Sequence, residues 1–224
     1  MATWNPITGC LHNCIYCWAR RYSKRLAAMG VEPYKTHDFK PAFAEWRLRQ
    51  KFPKGEWIFV SDMGDMWGDW VPREWIERVL HVLRTKVDSY FFFLTKNPKR
   101  YHEFRDRFTE NMTLGATIET NRGYKVSRAP SPRERFEALR DLNWSHKAVV
   151  IEPILDFDLE FIEWIREIQP EMIHIGYDNY GNRLPEPPLV KTMSLKEELS
   201  RIAEVEVGVI RKAWYEQSSS KGII

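Results

Sequence analysis

Three cysteines lie close together near the start of the chain, in the stretch GCLHNCIYCWARRY at residues 9–22. Cys10, Cys14 and Cys17 have the spacing C-x3-C-x2-C, and the 224-residue sequence contains no other cysteine. An odd number of cysteines cannot pair fully into disulfides. Clustered cysteines without an export signal favour thiolate ligands in a reducing compartment. The sequence therefore predicts a metal site at these residues and a cytoplasmic location.

The number of cysteines narrows the kind of metal site. A cubane cluster contains four irons, and cysteine thiolates hold such clusters. Three cysteines leave one iron without a protein ligand. That iron can bind a substrate or cofactor, just as the open coordination position of a catalytic zinc ion does. A purely structural or electron-transfer cluster normally uses four cysteines. His12 makes a Cys3His zinc site a further alternative, although its spacing of two residues from both Cys10 and Cys14 disfavours an inward orientation.

The composition sets weaker limits on function. The net charge of +3 is too small to indicate a nucleic-acid partner by itself, although basic residues cluster at 19–25, 96–107 and 128–135. No apolar window is long enough for a transmembrane helix. The first residues, MATWNPITGC, lack a basic segment followed by an apolar run. We therefore expect neither a membrane span nor a signal peptide.

Short apolar runs alternate with longer amphipathic segments along most of the chain. The apolar runs lie at residues 57–61, 90–95, 112–118, 147–153, 171–177 and 205–210. The amphipathic segments lie at residues 71–86, 97–108, 131–142, 157–168 and 194–203. In the first of them, one helical face carries Trp75, Ile76, Val79, Leu80 and Leu83. Apolar strands that alternate with helices indicate a parallel sheet covered by helices.

This alternation predicts an α/β fold: a partial parallel TIM-type barrel with the architecture (β/α)6. A full eight-stranded barrel needs about 250 residues, and here the first strand must precede Cys10. We expect a single domain at residues 1–224, with the cysteine loop at 9–22 and a C-terminal strand and tail at 205–224. The cysteine loop would lie at the C-terminal rim of the strands.

In such barrels the functional residues lie at the carboxyl ends of the strands. The polar residues that follow the predicted strands are Ser61, Asp62, Asp65, Thr95, Lys96, Asn97, Glu119, Thr120, Asn121, Glu152, Tyr177, Asp178 and Asn179. The segment GYDNYGNRLPEPP at 176–188 follows the fifth run and is predicted to form a rim loop over the substrate.

The cysteine spacing, with Tyr16 directly before the last cysteine, resembles the signature of the radical S-adenosylmethionine superfamily. The string WNPITGCLHNCIYCWARRY, followed by FVSDMGDMWG, FFFLTKNPKRY, LGATIETN and VVIEPILDF, resembles the phage-related Gp37/Gp68 (DUF5131) family over most of residues 4–157. This family is distantly related to spore photoproduct lyase. The resemblance implies a [4Fe-4S] cluster on the three cysteines, with S-adenosylmethionine bound to the open iron. Reductive cleavage would then yield a 5′-deoxyadenosyl radical that abstracts a substrate hydrogen.

The resemblance also implies cofactor contacts. Ser61 and Asp62 would meet the methionyl amino group, and the ammonium group of Lys96 would pair with the methionyl carboxylate. Tyr16 and Trp18 would cover the adenine. An electron donor such as ferredoxin or flavodoxin would supply the reducing electron.

Later positions carry further implied roles. Thr117 and Glu119 would bind the ribose or the amino group, and Glu152 would do the same or face the substrate. Lyases that repair thymine photoproducts use a further cysteine as hydrogen donor, and this sequence has none. The catalytic candidates are therefore Tyr177, Tyr180 and Asp178.

The substrate has three interpretations. The basic clusters and exposed aromatic residues favour a nucleic acid or a nucleotide-like molecule. The rim carboxylates favour the amino or hydroxyl groups of a small metabolite or a protein side chain. A non-enzymatic iron–sulfur or zinc binding module is the third interpretation.

Overall fold

The computed structural model describes residues 1–218 of the chain. Its strands are β1 (Ala2–Trp4), β2 (Ile7–Thr8), β3 (Ala42–Phe43), β4 (Trp57–Val60), β5 (Tyr90–Thr95), β6 (Met112–Thr117), β7 (Lys147–Ile151), β8 (Met172–Ile175) and β9 (Glu204–Val207). Its α-helices are α1 (Trp18–Ala28), α2 (Tyr34–His37), α3 (Arg73–Arg84), α4 (Pro132–Arg140), α5 (Glu160–Ile168), α6 (Leu189–Leu199) and α7 (Trp214–Ser218). Two 3-10 helices lie at Glu45–Arg49 and Pro98–Arg107.

Within residues 1–218, seven strands form one parallel sheet in the order β1-β4-β5-β6-β7-β8-β9, while β2 and β3 pair antiparallel. Helices alternate with most of these strands, as in a partial TIM-like α/β fold. The predicted fold class is therefore confirmed. The sheet has seven strands where about six were expected, because the six apolar runs each supply one and the first strand, expected before Cys10, is added as β1, which pairs in register with β4.

Backbone contacts divide the chain into two compact units, and the first comprises residues 1–116 and 127–130. Its strands β4, β5 and β6 bury Ile58, Phe91, Phe93 and Leu114 almost completely. Helix α3 buries the apolar face that its sequence predicts, with Ile76, Val79, Leu80 and Leu83 inward. Burial of these aliphatic and aromatic side chains stabilises the strands whose carboxyl ends position the cysteine loop.

The second unit comprises residues 117–126 and the described chain from residue 131. Its strands β7, β8 and β9 are parallel and pair in register. Helix α4 begins with a capping box between Ser131 and Glu134, and its Phe136 stacks on Trp164 of α5 with ring centroids 4.6 Å apart. The predicted single domain stays a prediction.

The structure differs from the predicted elements in several places. Helix α1 follows the cysteines directly, where no helix was predicted. The segment predicted as a helix at 97–108 is a 3-10 helix, and Phe104 has non-helical backbone angles inside it. Helix α6 begins five residues before the predicted 194, because the extended Pro188 sets its start.

The predicted C-terminal strand is present as β9. The last residues of the predicted tail, 219–224, lie outside the described residues. No helix between residues 1 and 218 is both long enough and apolar enough to cross a membrane.

Candidate metal centre

The cysteine loop begins where two backbone segments touch. Gly9 has a φ of +80°, and its N–H donates to the carbonyl oxygen of Met63 at 3.0 Å. A Cβ on Gly9 would lie 2.2 Å from the carbonyl oxygen of Lys40, and a Cβ on Gly64 would lie 2.6 Å from the carbonyl oxygen of Gly9. Only glycine fits at these positions, so the loop is held against the segment that follows β4.

Gly9→Ala should therefore destabilise the protein by about 3 kcal/mol or more, through a left-handed backbone and a backbone clash. Gly30→Ala is the matched control, because Gly30 also has a positive φ of +77° but no atom within 4 Å of an added Cβ. It should cost only about 1–2 kcal/mol. Urea unfolding of both variants measures the difference, and equal losses would contradict the close contact.

Backbone N–H groups donate hydrogen bonds to the sulfur atoms of two cysteines. Cys17 caps the N-terminus of α1, and its Sγ accepts the N–H of Arg20 at 3.3 Å. The Sγ of Cys10 accepts the N–H of His12 at 3.4 Å. None of the three cysteines forms a disulfide, and Cys14 is buried while the other two are half-buried. Hydrogen bonds to the sulfurs are among the features by which proteins tune iron–sulfur clusters.

Burial and the negative charge of Asp65 raise the pKa of the Cys10 thiol well above its ordinary value. A bound metal cation would reverse this preference and hold the thiolate. Among residues 1–218, no group of three or more His, Cys, Asp or Glu side chains is arranged around a single ion. A cubane has a different requirement, because each cysteine binds a different iron. The [4Fe-4S] cluster on the three cysteines stays a prediction.

His12 is directed to Asp65. Its Nε2 lies 2.9 Å from Asp65 Oδ2, and both side chains are buried. The His12 ring also packs edge-on against Trp70, with ring centroids 4.7 Å apart. These contacts give His12 a role in holding the loop and disfavour it as a fourth zinc ligand.

Asp65 is the centre of a buried hydrogen-bond network. Besides His12, its carboxylate accepts hydrogen bonds from Thr95 Oγ1 at 2.8 Å and from the N–H groups of Lys96 at 2.9 Å and Trp67 at 3.0 Å. Burial opposes ionisation of Asp65, but the contacts with His12, Lys96 and Thr95 outweigh it and lower the pKa of the carboxyl group. The network joins the cysteine loop to the carboxyl end of β5.

Ser61 and Asp62, both predicted to bind the cofactor, follow β4. Ser61 has a φ of +61° and is 2% exposed, and its Oγ has no hydrogen-bond partner among the described residues. Asn5 Nδ2 donates to Asp62 Oδ1 at 2.5 Å, while burial raises the pKa of Asp62. Ser61 thus presents a buried hydroxyl that a ligand could satisfy.

The structure brings Lys96 and Tyr16 together. The Lys96 Nζ lies 5.3 Å from the centroid of the Tyr16 ring, within the range of a cation–π contact. Tyr16 is buried, whereas Trp18 is 41% exposed and packs beside Tyr22 on α1. Lys96 and Tyr16 are therefore neighbours, whereas Trp18 lies on an exposed surface, and the adenine contact of Tyr16 and Trp18 stays a prediction.

The predicted ligands Thr117 and Glu119 belong to the second unit and have a protein partner there. Arg135 Nη1 donates to the Thr117 carbonyl oxygen at 2.5 Å and to Glu119 Oε2 at 2.7 Å. The Arg135 and Glu119 side chains are almost completely buried. This ion pair fixes the segment after β6, and the ribose contact stays a prediction.

Glu152 forms a pair with a residue that the sequence analysis did not select, His174 of β8. The His174 Nε2 lies 2.8 Å from Glu152 Oε2, and Asn179 Nδ2 donates to Glu152 Oε1 at 3.0 Å. A Cβ on Gly176 would lie 3.0 Å from Glu152 Oε1, and one on Gly208 would lie 3.0 Å from His174 Nε2. Both glycines therefore leave room for the pair. Side chains alternate between the two faces of β8, and His174 lies on the less buried face. A histidine at such a position in a predicted strand was the sequence signal that could have identified this pair.

The hydrogen bond that His174 donates to Glu152 raises the pKa of His174 above its ordinary value, although burial opposes it. The resulting stabilisation is present below pH about 6.5 and is lost as the pH rises through the raised pKa. Glu152→Gln should therefore cost about 0.5–1 kcal/mol more at pH 5.5 than at pH 9. Urea unfolding at the two pH values tests this. With His174→Gln as background, the difference should vanish, and a loss independent of pH would contradict the pairing.

The three catalytic candidates occupy different environments. Tyr177 is buried, and its hydroxyl contacts Thr192 Oγ1 at 2.6 Å and donates to the Pro187 carbonyl oxygen at 3.1 Å. Asp178 accepts the N–H of Tyr180 at 3.2 Å and so shapes the 176–188 loop. Tyr180 is half exposed. A role as hydrogen donor stays a prediction for each of them.

The alternating strands and helices and the cysteine-bearing loop before β4 define a partial TIM-like α/β protein. Residues 1–167 match the model of the family described as protein of unknown function, DUF5131, and the chain belongs to this family. The family resemblance seen in the sequence is thus confirmed. No curated protein sequence matched the chain.

Solved structures of spore photoproduct lyase have a similar fold. A variant with bound AdoMet and dinucleoside spore photoproduct aligns with a TM-score of 0.56 and 12% identity, over 89% of this chain and 61% of that chain. A second variant gives a TM-score of 0.55 and 13% identity over the same shares. A complex with dinucleoside spore photoproduct gives 0.53 and 14% identity, over 75% of this chain and 53% of that chain. At these identities the similarity establishes the fold alone, and this chain spans at most about three-fifths of the lyase chains.

Proposed function

We propose that this protein is a radical S-adenosylmethionine enzyme that holds a [4Fe-4S] cluster on Cys10, Cys14 and Cys17. The observation that carries the proposal is a loop of three cysteines, none in a disulfide and two with backbone N–H groups donating to their sulfurs, in a sequence without a fourth. When bound and reduced, such a cluster supplies the electron that cleaves S-adenosylmethionine into methionine and a 5′-deoxyadenosyl radical. The similarity to an AdoMet-bound lyase supports this proposal at the level of fold.

The residues around the loop have defined parts in this proposal. The Lys96 ammonium group pairs with the methionyl carboxylate, which would otherwise face an anionic cluster. The unpartnered Ser61 hydroxyl offers a hydrogen bond to the methionyl amino group. Asp65 positions both sides of the site, because it binds His12 of the cysteine loop and the backbone of Lys96. Tyr16 shields the Lys96 side chain from water.

The proposed substrate is a nucleic acid or a nucleotide-like molecule. The dinucleoside in the similar lyase and the basic segments at 96–107 and 128–135 support this choice. A small metabolite is the second candidate, favoured by the carboxylates of Glu152 and Glu206 around His174, which suit an amino or hydroxyl group better than a phosphate. Binding of an oligonucleotide should weaken steeply with salt, whereas binding of a neutral metabolite should not.

Electron paramagnetic resonance of the reconstituted protein tests the open iron. After anaerobic loading with iron and sulfide and reduction with dithionite, the spectrum should show a reduced cluster whose signal changes when S-adenosylmethionine is added. An unchanged spectrum at saturating S-adenosylmethionine would contradict the open iron. That result would leave a non-enzymatic metal-binding module as the better interpretation.

A further inference from the structure

The outer surface of α1 exposes three large apolar side chains. Trp18, Tyr22 and Met29 are all exposed, at 41%, 45% and 66%. Arg21 and Arg25 fall on the same helical face, because positions three, four and seven residues apart lie together. We name this surface, formed by Trp18, Arg21, Tyr22, Lys24, Arg25 and Met29, the α1 face; the exposed Lys24 lies at its edge, three residues from Arg21.

Helix α1 is strongly basic. The sequence of α1 contains four basic residues, Arg20, Arg21, Lys24 and Arg25, and no acidic residue. Within residues 1–218, neither the Lys24 nor the Arg25 side chain has a hydrogen-bond or ion-pair partner. The whole chain has a net charge of only +3, so this positive charge is concentrated on α1. Such a patch accelerates the encounter with a negatively charged partner.

The composition of the α1 face favours a protein partner over a nucleic acid. Trp, Tyr, Met and Arg are residue types enriched in protein–protein interfaces, and these types make up the face apart from Lys24 at its edge. Ile15, 54% exposed and three residues before the helix, adds apolar surface that neither a phosphate nor a base requires. An apolar centre bordered by basic side chains fits a protein with a complementary acidic surface.

The α1 face is also directly connected to a cysteine sulfur. Cys17 caps α1, and its Sγ accepts the N–H of Arg20 in the first turn. A helix with its side chains is about 10 Å across, so a protein bound to the outer face lies close to the Cys17 sulfur. All three cysteines are assigned to the one cluster, so the chain has no cysteine for a second cluster.

We infer that the α1 face is the docking surface for an acidic electron-transfer protein that reduces the cluster. This inference rests on the proposed function, which requires an external electron. One electron leaves the reduced flavin or iron–sulfur centre of the partner, which is thereby oxidised, and enters the cluster. No covalent bond forms or breaks in this step.

Two measurements test the inference, with flavodoxin and ferredoxin of net negative charge as probes. Calorimetry measures their binding to the cluster-free protein, and stopped-flow absorbance measures reduction of the reconstituted cluster. Lys24→Glu/Arg25→Glu should weaken binding and slow reduction at least tenfold at low salt for one of the probes, and the difference should shrink as salt rises. Reduction by dithionite should be unchanged.

Arg49→Glu/Lys51→Glu is the matched control. It makes the same change in charge at two exposed residues outside the α1 face, and it should leave both measurements near the wild-type values. Trp18→Ala should weaken binding at low and at high salt, because it removes apolar contact.

The outcomes separate the docking surface from the function. Wild-type binding and rates in Lys24→Glu/Arg25→Glu, or no binding of either probe to the wild-type protein, would overturn the docking surface. The docking surface would also be overturned if Lys24→Glu/Arg25→Glu lost binding of the oligonucleotide oligo(dT) but still bound flavodoxin and ferredoxin, because α1 would then bind a nucleic acid. If a probe binds the cluster-free protein through α1 but no cluster can be loaded, the surface stands and the proposed function fails.

Discussion

Replacing any one of Cys10, Cys14 and Cys17 with Ala is expected to abolish cluster retention and S-adenosylmethionine cleavage. Each cysteine binds a different iron in the proposed cubane, and the sequence offers no fourth cysteine as a substitute. Iron and sulfide content after anaerobic loading, together with the visible spectrum, measure the loss. The fold should persist, because the strands and α3 bury their core without the cysteines.

A Ser replacement at the same positions is a useful control for packing. Ser is nearly isosteric with Cys but is a poor ligand for iron, so both replacements should behave alike. If any single Cys→Ala variant kept a wild-type iron content and wild-type cleavage, the three-cysteine cluster would be wrong.

The Asp65→Ala variant is expected to have the largest loss of stability among single carboxylate replacements, about 3–5 kcal/mol. The change removes a buried charge and leaves donors of His12, Thr95 and Trp67 without their acceptor. It also frees the cysteine loop from β5, so cluster loading should fall as well. Urea unfolding and iron content measure the two effects.

Asp88→Ala provides the matched control for Asp65→Ala. Asp88 pairs with Lys54 at 3.1 Å, but both side chains are mostly exposed. Loss of this surface pair should cost less than about 1 kcal/mol. Similar losses in the two variants would show that the network around Asp65 is not the support that the structure indicates.

The strands were largely predictable from the sequence because their burial is encoded locally. The run YFFFLT, for example, became β5 with the predicted bounds, since aromatic and β-branched residues favour buried strands. Helix α1 was missed because its residues were assigned to the cysteine loop at 9–22 and to a basic cluster at 19–25, although its sequence, WARRYSKRLAA, does bury one helical face. Its start depends on a cysteine cap, a role for which Ser, Thr, Asp and Asn are the usual signals.

The candidate site was predictable only in part, because its contacts join distant positions. The cysteine spacing is local and needs no fold to be seen. In contrast, His12 and Asp65 are 53 residues apart, and their pairing depends on how the loop lies against β4 and β5. The pairing of His174 with Glu152 likewise required the register of β7 and β8.

The most direct test of the proposed function is the formation of 5′-deoxyadenosine. The anaerobically reconstituted protein would be reduced with dithionite in the presence of S-adenosylmethionine, and the products would be measured by mass spectrometry. We predict 5′-deoxyadenosine from the wild-type protein and none from a variant in which all three cysteines are Ala. A protein that carries a reduced cluster and binds S-adenosylmethionine but never yields 5′-deoxyadenosine would contradict the radical mechanism.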